Sequence, residues 1–321
     1  MITMKKYTLI FLFFLILAIF STLIIPIKAD AKDDLINNFK NLCPNYEVIG
    51  YTVNNHPIYA FHFGEGKTKV LIDAVIHGDE EMNSYLLYNF VNWVLNNNSD
   101  DAISIRKRLN ITVIPIINFD HFNITRKNAH GVDLNRNFEH GWGNAGSDNS
   151  SSWQYRGTAP LSEPEAQALH NYFITLKPKV YINLHYFADC IYYLSFANKE
   201  AHNNLYNEYC SISNEKGISK WNDIETSDGG FAISDGNYYG EAEISEILET
   251  GEDEPTFNDV NVNGLVFNRF LCYMLAVSDI YGQENENLLI KNFTEIMVNV
   301  ILMGVAIGIF KTFVKDEKNV V

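Results

Sequence analysis

The chain alternates between short apolar runs with a two-residue period and longer stretches in which apolar residues recur every three or four positions. After a short helical segment at 35–42, residues 46–53 and 58–63 read as strands, with Asn54-Asn55-His56-Pro57 as the turn between them. Residues 69–76 make an apolar, β-branched run that delivers His77 at its end. Gly78 and Asp79 then turn the chain, and Glu80 opens a helix reaching about 95, on which Leu87, Phe90, Val91 and Val94 share a face. A polar loop at 96–101, a short helix at 103–109 and a further apolar strand at 111–117 follow. Strand, helix, strand in this order predicts one α/β domain whose mixed, mostly parallel twisted sheet is flanked by helices.

From 118 to 160 the periodicity lapses. A loop this long in a compact domain is usually functional or disordered, and Arg126-Lys127 and the run from Gly131 to Phe138 favour function. Ser162-Glu163-Pro164-Glu165 has the form of a helix start, with Ser162 as N-cap and an early proline, and the helix runs to about 176. Residues 180–185 are the next strand, again ending in a histidine, and 191–196 a further one. A helix at 201–216 precedes a flexible stretch at 226–240, punctuated by Gly229, Gly230, Gly236 and Gly240. The strand at 244–250 carries Glu249 to its C-terminal end, and 265–280 closes the pattern as a helix.

Composition narrows the picture. A net charge of −15 argues against a nucleic-acid partner, because phosphate binding needs clustered Lys and Arg. Cys43, Cys190, Cys210 and Cys272 show no Cys-x-x-Cys spacing and make no zinc knuckle; in an exported protein they form up to two disulfides or stay free. Lys5 and Lys6 precede an apolar run that ends near 27, followed by Ala29-Asp30-Ala31. Residues 1–31 therefore read as a signal peptide cut after Ala31 or, uncleaved, as a membrane anchor, and 32–321 as a domain outside the cytoplasm. The apolar run at 296–310, interrupted by Asn299, is short for a bilayer span and reads as a buried terminal helix.

Chemistry-bearing groups gather at the strand ends: His77 with Glu80, Arg126, Asn135 and Arg136 in the long loop, His185, and Glu249. In an open parallel sheet, ligand sites form beyond the carboxyl ends of the strands. Two histidines and a glutamate leave zinc an open coordination position, which is the catalytic pattern, with Asp79 as a charge able to orient His77. A further carboxylate can take a proton from water, and arginines can grip a carboxylate or stabilise an oxyanion. Glu246 rivals Glu249, but a spacing of three places it on the other strand face. His62 reads as a strand residue, and His121, His130 and His140 as polar loop residues.

These pieces resemble the zinc carboxypeptidases of the carboxypeptidase A/B superfamily. The resemblance rests on His77-Gly78-Asp79-Glu80, Arg126-Lys127, Gly131-Val132-Asp133-Leu134-Asn135-Arg136-Asn137-Phe138, Tyr155-Arg156-Gly157, Ser162-Glu163-Pro164-Glu165, Leu184-His185 and Ile247-Leu248-Glu249-Thr250-Gly251, in the family's order. It implies an exported zinc metallopeptidase, a monomer, that cleaves a C-terminal peptide bond. One zinc ion would sit on His77, Glu80 and His185, with Glu249 as general base toward water and Arg126 polarising the scissile carbonyl. Asn135 and Arg136 would hold the substrate's terminal carboxylate.

The chain also departs from that family. Its capping tyrosine is expected about twenty residues before Glu249, where this chain reads Ile224-Glu225-Thr226-Ser227-Asp228, so Tyr238 or Tyr239 stands in for it. Ser234 and Asp235 are expected to line the specificity pocket, and an acid there suits a basic or amino-bearing substrate end. Residues 32–45 are too few for the folded propeptide of digestive relatives. Hydrolysis of cell-wall peptide amides of the γ-D-glutamyl-diamino acid type uses the same groups and is the alternative reaction. A catalytically inactive exported binding protein is the alternative of another class.

Overall fold

The structure is a computed structural model that describes residues 31–226, 229–251 and 253–282. The chain divides into two compact units, residues 1–37 and 38–321. Of the first, only the opening of helix α1 (Ala31–Leu42) is described. The expected leader at 1–31, apart from Ala31, and the apolar run at 296–310 lie outside the described residues.

A hairpin opens the larger unit: β1 (Tyr46–Tyr51) pairs antiparallel with β2 (Pro57–Phe63). Then come β3 (Thr68–Asp73), α2 (Met82–Asn96), α3 (Asp100–Arg108) and β4 (Leu109–Ile114). The long loop follows, irregular except for single 3-10 turns at Phe119–His121 and Leu134–Arg136. Beyond it lie α4 (Pro164–Leu176), β5 (Val180–His185), β6 (Ala188–Leu194), α5 (Lys199–Lys216) and β7 (Asn222–Thr226). The described chain ends with α6 (Ala232–Tyr238), β8 (Ile244–Gly251), α7 (Phe257–Val260) and α8 (Leu265–Gly282).

The eight strands form one sheet in the order β1-β2-β4-β3-β5-β8-β6-β7. Its centre is parallel, β4-β3-β5-β8, and its margins hold the antiparallel pairs. This is the mixed sheet of one α/β domain that the pattern predicts. β5 is buried at all six positions, as expected of a central strand covered on both faces. On one face α4 and α6 pack over the sheet through Leu169, Phe173, Tyr181 and Ile233. On the other, α2, α3, α5 and α8 pack together, with Phe90 against Phe270 and Trp93 against Phe267. The stretch Phe257–Gly282, which holds α7 and α8, is apolar and long enough to cross a membrane, yet most of α8 is buried as a core helix. All four cysteines are free thiols.

Several expected boundaries shift. β3 ends at Asp73, so His77 stands four residues past the strand rather than on its last position. α2 begins at Met82, which puts Glu80 in the connecting turn instead of the helix. Glu163, not Ser162, occupies the N-cap position of α4. The stretch expected to be flexible, 226–240, contains α6, and β7, which the pattern does not predict, ends where that stretch begins. β7 escapes the pattern because it is an edge strand, exposed at nearly every position and carrying Asp223 and Glu225.

Candidate metal centre and active site

Three residues, Ala74, Val75 and Ile76, link β3 to His77, and backbone hydrogen bonds still hold the first two. Ala74 donates to Ile114, while Ile117 and Asn118 donate back to Ala74 and Val75, which adopts a left-handed φ of 55°. The chain can then turn sharply only because Gly78 has no side chain. A Cβ there would lie 2.2 Å from the His121 carbonyl oxygen and 2.6 Å from that of Thr125. The loop after β4 docks on this turn: Asn123 donates to Gly78 O at 2.6 Å, and Gly78 donates to Arg126 O at 3.3 Å. Arg126 reaches His77 because of that contact.

β5 supplies the second histidine. His185 ends the strand opposite Glu249 in the parallel β5–β8 register, so the two leave neighbouring strand ends together. His77, Glu80 and His185 are all buried, and their ligand atoms lie within 4.8 Å of one another. His77 Nδ1 is 2.7 Å from Glu80 Oε1 and 3.0 Å from His185 Nδ1; Glu80 Oε2 is 2.9 Å from His185 Nδ1 yet makes no hydrogen bond.

The outer ring nitrogens are already engaged. His77 Nε2 meets the Asp133 carboxylate at 3.1 Å, and His185 Nε2 meets Asn183 Oδ1 at 2.6 Å. Both partners accept, so each Nε2 carries the proton and each Nδ1 presents a lone pair inward. Two lone pairs and a carboxylate converging in a buried space repel one another, and a divalent cation removes that repulsion. Burial lowers the pKa of both histidines, that of His185 to about 3, with Arg126 adding to it, so both rings stay neutral, as ligands must be. The donor set therefore fits zinc: borderline-soft nitrogen and oxygen ligands, three in number, with room for a fourth.

The sequence points to Asp79 as the group that orients His77. The structure gives that part to Asp133, while Asp79 Oδ1 is buried without a hydrogen bond. Asp133 also accepts from Arg126 Nε at 2.9 Å. Burial works against its charge, but His77 and Arg126 outweigh that and hold the carboxyl well below its usual range. Nothing local marks Asp133, because its partner is 56 residues away.

His77, Glu80 and His185 line one cavity of about 550 Å³. Arg126 enters it with Nη1 3.1 Å from His77 Nδ1 and its guanidinium 5.0 Å from the Trp153 ring. Arg136 is carried there by the 3-10 turn, donating to Asn135 O at 2.8 Å with its guanidinium 4.6 Å from the Phe231 ring. Asn135 Oδ1 accepts from Ala232 N at 2.9 Å, which leaves Nδ2 3.2 Å from His185 Nε2. Glu249 faces the same cavity with Oε2 buried and unpartnered. Burial and the nearby Glu80 push its carboxyl to about 9, against the pull of Arg126 and Arg136. A cation among the ligands would lower it again.

The fold does not bring Ser234, Asp235 or Tyr238 into the lining. Ser234 and Asp235 are buried in α6, where Asp235 accepts from His140 N at 2.7 Å, Glu139 N at 3.3 Å and His170 Nδ1 at 2.7 Å. Asp235 thus pins the middle of the long loop. Tyr238 is exposed, stacked on His140 at 4.3 Å. In their place the walls carry Trp153, Tyr186, Phe187, Tyr192, Phe231 and Ile247. Phe187 is held at a φ of 96° with its ring largely exposed at the cavity, backbone strain of the kind found at functional sites.

Glu246, on the opposite face of β8, bonds His202 Nδ1 at 2.6 Å and accepts from the Tyr273 hydroxyl, far from the ligand set in connectivity. His121 binds Lys127 O, and His130 binds Glu163, as loop residues do. The Ser162–Glu165 segment, read from sequence as a helix start, also anchors the loop: Glu163 and Glu165 both accept from Asn128 Nδ2, and Asn137 bridges Arg156, Ala159 and Ser162.

The chain is similar to several known carboxypeptidases. Human carboxypeptidase O is 30% identical over 168 residues, which cover 44% of this chain and 45% of that one. Rat mast cell carboxypeptidase A is 30% identical over 166 residues, covering 44% of this chain and 40% of the relative. The chain thus spans less than half the length of these curated relatives. Among solved structures, bovine thrombin-activatable fibrinolysis inhibitor superposes with a TM-score of 0.64 at 21% identity, covering 78% of this chain and 95% of that one. Carboxypeptidase A from Helicoverpa armigera gives 0.56 at 18% identity over 78% and 69% of the two chains. The sequence model of the zinc carboxypeptidase family matches residues 33–247, a span that holds His77, Glu80, Arg126, Asn135, Arg136 and His185 and stops two residues short of Glu249. By that match over more than half of its length, the chain belongs to the zinc carboxypeptidase family.

Proposed function

We propose that this protein is a zinc metallopeptidase that removes a C-terminal residue from peptides, with one zinc ion held by His77, Glu80 and His185. The observation that carries the reading is the convergence of two neutral imidazole Nδ1 atoms and a carboxylate in a cavity that also holds Glu249, Arg126 and Arg136. When bound, zinc supplies Lewis acidity, polarising a carbonyl and making a nearby water acidic.

The chain's own residues do the rest. Glu249, unpartnered at Oε2, accepts the proton of the attacking water and returns it to the departing amine nitrogen. Arg126, fixed by Asp133 at Nε, offers its Nη1 side to the carbonyl oxygen as charge grows there. Arg136 and Asn135 hold the substrate's terminal carboxylate, Arg136 through its forked donors. Trp153 and Phe187 at the rim limit water around the reacting groups. We further propose that residues 1–31 direct the chain out of the cytoplasm, as a cleaved leader or as an anchor.

The test is product mass spectrometry after incubating the zinc-loaded protein with two substrate sets, linear peptides varied at their last residue and cell-wall muropeptides. Loss of single C-terminal residues from the peptides supports the proposal. Cleavage confined to muropeptides moves the reaction to wall peptides, and cleavage of neither set by a zinc-loaded protein contradicts a peptidase.

A further inference from the structure

Three residues on one face of β5, Tyr181, Asn183 and His185, stand two apart and are all buried. Asp73, at the end of β3, is registered directly opposite Asn183. Its carboxylate accepts from the Tyr181 hydroxyl at 2.7 Å and from Asn183 Nδ2. A carboxylate can only accept while ionised, so it dictates which end of the Asn183 amide faces it. The amide oxygen is thereby left toward His185 Nε2, 2.6 Å away.

His185 Nε2 has a second neighbour that asks for the opposite. Asn135 Nδ2, 3.2 Å away, is fixed as a donor because its own Oδ1 accepts from Ala232 N. If Asn135 won, Nε2 would hold the lone pair, Nδ1 would carry the proton, and that proton would point at Glu80 Oε2, 2.9 Å away. Such a ring cannot ligate through Nδ1. The shorter contact to Asn183 wins, but only while Asp73 keeps the amide from turning over.

We propose that Asn183, locked by Asp73 and Tyr181, is a positioning residue that sets His185 in its Nε2-protonated tautomer and so turns its Nδ1 lone pair toward the ligand set. This rests on the reading of His77, Glu80 and His185 as a zinc site, but the tautomer itself is a property of the metal-free chain. Asp73 is four residues before His77, and Asn183 is two before His185, so each strand leads to its ligand histidine and carries half of the device that aims one of them.

The tautomer is read by two-bond proton–nitrogen spectra of the metal-free protein with labelled histidine, His185 being identified by its loss in His185→Gln. Zinc affinity is measured alongside by competition with a chelator. The wild type is expected to show the Nε2-protonated form. Asp73→Asn, which keeps the shape but lets the amide turn, shifts His185 toward the Nδ1-protonated form and weakens zinc by ~10- to 100-fold, the usual cost of losing such a partner. Asn183→Leu weakens zinc to the same extent. The exchange Asp73→Asn with Asn183→Asp restores both readings, because the carboxylate then at position 183 accepts from His185 and from the amide introduced at position 73. An unaltered tautomer and unaltered affinity in Asp73→Asn overturn the proposal, as does a loss of melting temperature in the single variants with no change of tautomer. Were the variants to show the expected tautomer shifts while the wild type bound no zinc, the zinc-site reading would fail and the tautomer assignment would stand.

Discussion

Glu246 and Glu249 lie three residues apart on β8, and the strand's two-residue period sends them to opposite faces of the same sheet. Glu246 enters the helical layer and is fully engaged, by His202 Nδ1 on one oxygen and the Tyr273 hydroxyl on the other. Glu249 enters the cavity with one oxygen buried and without a partner. A buried acid whose bonds are all made is part of the scaffold. One left unmade beside a converging ligand set is held ready for something the chain does not supply.

Substitution should separate the two most widely in activity. Glu249→Gln keeps the shape of the side chain and removes its ability to take a proton; we expect a loss of ~100- to 10,000-fold in kcat with little change in KM or stability, checked by steady-state kinetics and thermal melting. Glu246→Leu should reverse that profile. By leaving His202 and Tyr273 without their acceptor it should cost ~1–3 kcal/mol in chemical denaturation, while kcat per folded molecule stays within reach of the wild type. Equal losses of kcat in both variants would erase the distinction between the faces.

A milder effect of the same scaffold type is expected at α6. The hydrogen bond that His170 donates to Asp235 raises the histidine's pKa above the ordinary 6.5. That pair therefore stabilises the fold fully below pH 6.5 and loses its contribution as pH rises through the raised value. Denaturation of the wild type and His170→Asn should differ by ~1–3 kcal/mol at pH 5.5 and by less at pH 9, and a difference that grows with pH would contradict this assignment. The smallest effect belongs to Trp153, whose ring lies 5.0 Å from the Arg126 guanidinium at the cavity rim. Trp153→Ala should change kcat/KM by only ~2- to 5-fold, the worth of an exposed cation–π contact.

What the sequence disclosed follows the range of the interactions involved. The opposite facing of Glu246 and Glu249 is legible because it depends only on strand period. The ligand histidines are legible because each follows an apolar strand, and β3 and β5 lie side by side in the sheet. Asp133 is not legible as the partner of His77, nor Asp73 as the partner of Asn183, since both pairings cross between segments far apart in the chain. Spacing instead favours Asp79, which sits two residues from His77 in sequence but whose buried Oδ1 makes no hydrogen bond. Asp235 shows the same limit in reverse. Counting back from Glu249 places it in a pocket wall, whereas α6, hidden among glycines at 230, 236 and 240, turns it inward to hold the backbone at 139 and 140. The cavity's apolar wall, with Phe231 and Ile247, went unforeseen for that reason.

The most direct test of the central claim is zinc content and C-terminal residue release measured on the same preparations of wild type and Glu249→Gln. The account predicts about one zinc per chain in both proteins, bound by the same three ligands, with release of single C-terminal residues by the wild type alone. Zinc-loaded Glu249→Gln that still releases residues at the wild-type rate, or a wild type that hydrolyses peptides after its zinc has been stripped, would contradict it.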